Sequence, residues 1–178
     1  MKLLLHICCG PCASATIPWW TDKGDEVVGF FYNPNIHPLL EYRRRLVGTR
    51  DVCGIQGAEL VEDLAYDPEA WFSSVSGGRA PRCTNCVGDR LQRTAQEALA
   101  QGCEAFSTTL SISRWQDHEA IKDEGAKAAE LHGVRFVYED LRHLYAESCR
   151  LSRQWGIYRQ KYCGCLVSEW ERYRKSCS

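Results

Sequence analysis

Lys2-Leu3-Leu4-Leu5-His6-Ile7 runs straight into Cys8-Cys9-Gly10-Pro11-Cys12, and the junction between the two stretches decides how the chain is read. The apolar run is far shorter than the roughly 20 residues of a membrane span, and too short for a signal-peptide core, so it reads as a first buried strand. Gly10-Pro11 stops that strand, and Pro11 suits the opening turn of a helix, where its missing N–H costs nothing. Working outward, strand-like segments recur at Glu26–Tyr32, Ala58–Glu62, Glu104–Leu110 and Val134–Tyr138. Helical segments fill the intervals, over 12–23, 38–53, 84–101 and 115–132, with two more after Asp140. Pro18 is expected to kink or shorten the first helix, and Gly102 to cap the third. Alternating strand and helix predicts an α/β fold, a mostly parallel sheet covered by helices on both faces. In such sheets the loops after the strand C-termini build the site, which puts Cys8-Cys9 at the functional edge. No repeat or Ser/Gly linker divides the sequence, so residues 1–178 are expected to form a single catalytic domain, with a helical basic segment from about 140 to 178 within it.

With 44% hydrophobic and 25% charged residues over 178 positions, the chain can bury a real core. Its net charge of −1 excludes a generic polyanion binder, but the charge is unevenly spread. Between Arg142 and Lys161 lie Arg142, Arg150, Arg153, Arg159 and Lys161 against Glu147 alone, and Arg43-Arg44-Arg45 forms a second focus. Basic patches on a balanced surface guide RNA to one face, a solvated helix face being the alternative. Arg43, Arg44, Arg150, Arg153, Arg159 and Lys161 are therefore candidate RNA contacts. A cytoplasmic protein without a membrane partner is expected, in a compartment where thiols stay reduced. There, eleven cysteines, an odd number, indicate metal or redox chemistry rather than a disulfide scaffold.

Six of those cysteines form three groups: Cys8-Cys9, Cys83-x-x-Cys86 and Cys163-x-Cys165. Vicinal and one-apart cysteines suit iron–sulfur or multinuclear metal, since one short loop offers two sulfurs to neighbouring irons. Each group has a plainer reading: two small buried hydrophobes for Cys8-Cys9, and a redox pair or half a zinc site for Cys83/Cys86. Together they signal metal, with its identity open. A helix start beside Cys8, Cys9 and Cys12, and another beside Cys83 and Cys86, would favour anionic sulfur. Gly164 allows the tight turn that aims Cys163 and Cys165 one way. Cys53, Cys103, Cys149 and Cys177 stand singly and read as packing or surface thiols. His6 reads as a satisfied interior histidine, His37 as a pocket residue after the Asn33-Pro34-Asn35 turn, and His118, His132 and His143 as helix-surface or helix-end residues. Neither G-x-x-x-x-G-K-S/T nor G-x-G-x-x-G occurs, so nothing supports ATP or NAD dependence.

Four blocks carry a family resemblance: Leu5-His6-Ile7-Cys8-Cys9-Gly10-Pro11-Cys12, Gly29-Phe30-Phe31-Tyr32-Asn33-Pro34-Asn35-Ile36, Arg82-Cys83-Thr84-Asn85-Cys86 with Arg90-Leu91, and Ser152 through Cys165. From about residue 3 to 168 the chain resembles the cobalamin-independent epoxyqueuosine reductases of QueH type. The resemblance implies an adenine-nucleotide hydrolase-like (HUP-like) fold and reduction of the epoxide of epoxyqueuosine, at the wobble position of tRNA, to queuosine. It also implies a [4Fe-4S] cluster with an additional mononuclear iron beside it, and an electron donor that the sequence does not identify. On the matching positions Cys8, Cys9, Cys83 and Cys86 would hold the cluster, and Cys163 and Cys165, with Cys12 a further candidate, the separate iron. Tyr32, His37 and Tyr162 are proton-donor candidates by position. The related nucleotide group has a phosphate-gripping Ser-Gly-Gly loop where this chain has cysteines, a departure that favours electron transfer. Rival readings are a thiol–disulfide oxidoreductase, a zinc-stabilised RNA-binding module, and a cluster-dependent tRNA thiolase, which would need the phosphate loop missing here.

Overall fold

The computed structural model of the protein describes residues 1–75 and 79–176. Its strands are β1 (Lys2–His6), β2 (Glu26–Phe31), β3 (Glu59–Glu62), β4 (Ala105–Thr108) and β5 (Arg135–Phe136). They form one sheet in the order β3-β2-β1-β4-β5, every pairing parallel. Helices α1 (Gly10–Thr21), α2 (Leu39–Gln56), α3 (Pro68–Ser74), α4 (Arg79–Ala100), α5 (His118–His132), α6 (Tyr145–Gln154) and α7 (Leu166–Tyr173) supply the connections and the C-terminal segment. Cys177 lies outside the described residues.

The Leu3-Leu4-Leu5 run explains the two-sided cover. All three are fully buried, as in a central parallel strand with helices on both faces. Alternation sends Leu3 and Leu5 into one core with Ile17, Trp20 and Val52 of α1 and α2. Leu4 faces a second core with Val87, Leu91 and Ile121 of α4 and α5. The chain winds outward through β2 and β3, then returns to the other side of β1 for β4 and β5. The order therefore reverses between β1 and β4, and the crevice beyond their C-terminal ends is the switch point where sheets of this kind bind.

Several elements depart from the sequence expectation for local reasons. α1 does not stop at Pro18 but reaches Thr21; the Ser14 carbonyl, which proline cannot serve, accepts instead from Gln56 Nε2 at 2.8 Å. α4 begins at Arg79, not near 84, so Cys83 and Cys86 lie inside its first turns rather than ahead of it. Gly102 does end that helix, at φ 63°. α3 was not anticipated; Asp67 caps it by accepting from Ala70 N. The last residues of the expected fourth strand form a 3₁₀ turn, Thr109–Ile112, capped by Thr108.

α1 and α2 meet at Gly10 and Gly48, where a Cβ on Gly10 would stand 2.3 Å from the Gly48 carbonyl oxygen. Neither backbone can give way cheaply. We expect Gly10→Ala to destabilise the protein by about 3 kcal/mol, as overpacking does. Gly54→Ala, on the exposed and open part of α2, should instead stabilise by about 0.5–1 kcal/mol through helix propensity. Urea denaturation of the two variants checks this; equal midpoints would contradict the close crossing.

Candidate metal centre

β1 ends at His6, and the backbone emerges at the switch point carrying Cys8, Cys9 and Cys12. The three sulfurs lie within 4.8 Å of one another, and those of Cys8 and Cys9 are 3.8 Å apart. Cys12, one helical turn on, thus stands with the vicinal pair. The end of β4 closes round them: Thr109 Oγ1 accepts from the Cys8 amide at 3.0 Å and donates to Cys8 Sγ at 3.3 Å. Hydrogen bonds from Cys12, Cys9 and Thr109 hold the Cys8 thiol well below the ordinary range despite its burial. Burial drives Cys9 up, and bonding to the anionic Cys8 sulfur drives Cys12 up. Cys8, shifted toward its anionic form, thus belongs to a compact thiol triad at the N-terminus of α1, a donor set that could hold a soft metal ion.

Of the other two groups, Cys86 packs with Cys165 and Arg90 lies in the field of Cys86, Cys163 and Cys8, but Cys83 is not among the thiols that lie within 4.8 Å of one another. Cys83 is exposed on α4, while Cys86, three residues on, is buried against Trp71, Val75 and Cys165. Burial pushes the Cys86 thiol up to about 11, with Arg90 pulling the other way. Cys165 caps α7, its sulfur accepting from Ser168 N at 3.4 Å, and Cys163 Sγ accepts from Gln116 Nε2 at 3.2 Å. Gln160 Nε2 reaches Cys9 Sγ at 2.8 Å, tying the C-terminal segment to the triad. Between the groups sits Arg90, 2% exposed, its Nε donating to the Cys86 carbonyl at 3.0 Å. Burial opposes its charge, but Cys86, Cys163, Cys8 and Asp89 together favour it. A buried guanidinium among thiols favours anionic sulfur there, which suits a metal–thiolate group.

Arg45, one of three consecutive arginines, is no surface cation. It is 3% exposed, pairs with Glu41 at 2.8 Å, and donates to the Tyr162 and Cys163 carbonyls at 3.1 and 2.7 Å. The Glu41 carboxylate also accepts from Tyr158 OH at 2.6 Å. The Cys163-Gly164-Cys165 loop is thereby clamped to α2. Gly164, at φ 151°, packs against Asn35, Ile36 and Arg45, where a Cβ would meet side-chain atoms at 3.0–3.4 Å and the backbone itself disfavours any other residue. The i,i+4 spacing of Glu41 and Arg45 was visible in the sequence, but the loop they grip, 118 residues from Arg45 at Cys163, was not.

The acid–base candidates differ in setting. His37 does not line an open pocket: it is 2% exposed and enclosed by Tyr66, Trp71 and Phe72, its ring nitrogens have no hydrogen-bond partner among the described residues, and burial lowers its pKa. Tyr162 OH donates to the His37 carbonyl at 2.6 Å and is already committed. Tyr32, just past β2, points its hydroxyl at Asp89 at 3.4 Å. Burial and that carboxylate push its pKa to about 12. His6 is satisfied as expected, by Thr108 Oγ1 and the Tyr32 carbonyl. Arg43, Arg44, Arg153, Arg159 and Lys161 are exposed. Arg150 is exposed too but held by Glu147 at 2.7 Å, and Arg142 grips Asp140 through Nε at 2.8 Å, so the local positive excess is smaller than the sequence count. Of the single cysteines, Cys53 and Cys103 are buried and Cys149 is half-buried.

A parallel sheet of order 3-2-1-4-5 with a thiol triad at its switch point that could hold a metal ion defines an α/β protein of HUP-like fold. The fold is similar to that of a predicted subunit of tRNA methyltransferase from Methanocaldococcus jannaschii, at TM-score 0.56 and 14% identity over 83% of this chain and 75% of that one. A deacetylase of teicoplanin biosynthesis is similar at TM-score 0.50 and 12% identity, over 85% of this chain and 83% of that one. At such identities the likeness is one of fold alone. Sequence carries the assignment further: residues 3–171 match the family of epoxyqueuosine reductase QueH, and the chain belongs to that family of oxidoreductases. It is 40% identical to the epoxyqueuosine reductase QueH of Dehalococcoides mccartyi, over 98% of this chain and 96% of that protein. To the protein of the same name from Thermotoga maritima it is 37% identical, over 97% and 93%.

Replacing Arg45 by Met would strand Glu41 in the interior and release two loop carbonyls. We expect a loss of about 3–5 kcal/mol, as for one partner of a buried ion pair, read as a lowered urea midpoint. An unchanged midpoint would show that the clamp contributes nothing.

Proposed function

We propose that this chain reduces the epoxide of epoxyqueuosine in a tRNA anticodon, giving the cyclopentene of queuosine. Membership of the reductase family, combined with the Cys8/Cys9/Cys12 triad at the switch point, carries the reading. The reaction consumes two electrons and two protons, breaks both C–O bonds of the epoxide, forms a C=C bond and releases water. A [4Fe-4S] cluster with a further iron beside it would supply electrons singly and a Lewis acid for C–O cleavage. One compact triad cannot serve both. Thiolates from α4 and the C-x-C loop are needed as well, so Cys8, Cys9, Cys12, Cys83, Cys86, Cys163 and Cys165 form the proposed ligand set. Cys163 and Cys165 are the proposed holders of the separate iron.

The chain's own groups have distinct tasks in this reading. Arg90 holds positive charge beside the sulfurs, favouring their anionic forms. Tyr32 is protonated at neutral pH and directs its hydroxyl at Asp89, and that hydroxyl at the end of β2 is the proposed proton donor. His37, enclosed by Tyr66, Trp71 and Phe72 and with its pKa lowered by burial, is poorly placed to donate a proton. Arg43, Arg44, Arg153, Arg159 and Lys161 would receive phosphates of the anticodon arm, while Arg150 would first have to leave Glu147. The modified nucleoside must leave its stack to reach the thiols, at about a few kcal/mol, and phosphate contacts offset that cost.

No helix among the described residues is long and apolar enough to cross a membrane. Reductase activity is tested with anaerobically prepared protein, tRNA bearing epoxyqueuosine and a low-potential reductant, followed by mass analysis of the released nucleosides. Wild-type protein should convert epoxyqueuosine to queuosine. Cys163→Ala with Cys165→Ala should abolish conversion and remove one iron per chain, leaving acid-labile sulfide in place. Loss of the sulfide with the iron would instead make the C-x-C loop a direct cluster ligand. Absence of conversion by metal-replete wild-type protein would refute the reductase reading.

A further inference from the structure

Arg114-Trp115-Gln116 lies between the 3₁₀ turn after β4 and the start of α5, and no role described above uses Arg114 or Trp115. Trp115 is 70% exposed. A lone exposed aromatic means little, but this one is braced. Its ring meets Tyr145 of α6 edge-on with centroids 5.3 Å apart. The Arg114 guanidinium lies 4.9 Å from the Trp115 ring and 5.1 Å from the Tyr145 ring. These contacts limit the indole's motion before anything binds, which lowers the entropic cost of using it as a contact surface.

The brace joins two features of the reductase reading. On one side Gln116, the next residue, donates to Cys163 Sγ at 3.2 Å, so the segment that carries the indole is tied to the C-x-C loop. On the other, Tyr145 lies in the field of Arg114 and Arg159, and Arg159 itself contacts Cys149, one helical turn along from Tyr145, at 3.2 Å. Arg114 and Arg159 have no carboxylate partner among the described residues. Positive charge therefore surrounds an exposed π face on a segment tied to the C-x-C loop. Protein-binding hot spots sit within a rim of near-neutral contacts that exclude water, whereas single-stranded nucleic acid is gripped by aromatic faces set among cations.

We propose that Trp115 is a stacking platform for an unpaired base of the RNA substrate, a neighbour of the nucleotide that enters the thiol centre, with Arg114 and Tyr145 holding the indole in place. The proposal rests on the tRNA reading above and adds the residue that recognises the loop as single-stranded. A flanking base stacked there would keep the displaced nucleotide from returning to its own stack.

The test compares wild type, Trp115→Ala and Trp115→Phe in binding a fluorescent anticodon stem-loop and a blunt duplex of the stem alone, each over a series of salt concentrations. Trp115→Ala should bind the stem-loop about 5- to 100-fold more weakly, as loss of one stacked base implies. Duplex affinity and the salt dependence should be unchanged, because stacking releases no counterions. Trp115→Phe should recover most of the loss, and iron per chain should be the same in all three proteins. By contrast, Arg153→Ala with Arg159→Ala should flatten the salt dependence on both RNAs. Full stem-loop affinity in Trp115→Ala overturns the platform, including the case where only turnover with a protein reductant slows, which would assign the indole to that partner. An equal loss on the duplex overturns it as well. Failure of wild type itself to bind the stem-loop would be a failure of the tRNA reading rather than of Trp115.

Discussion

β1 is hydrogen-bonded on both edges and covered on both faces, so the chain can leave it only at its C-terminal end. The site depends on this constraint. Because β2 and β4 flank β1 in register, with His6 opposite Phe30 and Thr108, the residues after His6 must emerge where the sheet order reverses. Cys8 and Cys9 occupy the first positions free of the ladder. Thr109, the corresponding residue after β4, binds both the amide and the sulfur of Cys8. The vicinal thiols are thus positioned by strand pairing, and their neighbours need only approach from outside.

Those neighbours come from far along the sequence, and charge holds them. Arg90 enters from α4 and Arg45 from α2, both nearly fully buried, and each needs a compensating negative charge or a set of acceptors. Arg45 finds Glu41 and two loop carbonyls; Arg90 finds a carbonyl, Asp89 and the field of three thiols. The couplings are reciprocal: the neighbouring sulfurs favour the buried guanidinium's charge, and Arg90 pulls the Cys86 and Cys163 thiols back toward their anionic forms against burial.

The fold was legible because it rests on local patterns. Three consecutive leucines bounded by Cys-Cys-Gly-Pro read as a doubly covered strand, and five such runs with helices between them left little choice of architecture. Local signals failed where a distant residue decided the outcome. Pro18 was expected to kink or shorten α1, and no local feature reveals that Gln56 serves the orphaned carbonyl. Arg45 read as one of three surface charges because its partners lie in a loop more than a hundred residues away. Six cysteines stood out by their spacing, whereas Cys12, a candidate for the separate iron in the sequence, stands with Cys8 and Cys9 in the fold. Trp115 carried no sequence signal, since its meaning comes from Tyr145 beside it and from the tie between Gln116 and Cys163.

The central claim is that these thiols hold an iron–sulfur group rather than a lone structural ion or a redox disulfide. Iron and acid-labile sulfide per chain, measured on protein purified without oxygen, test it most directly. The account predicts a brown protein with more than about four irons and about four sulfides per chain, the composition of a [4Fe-4S] cluster with a neighbouring iron. Active, colourless protein with stoichiometric zinc and no sulfide would contradict it.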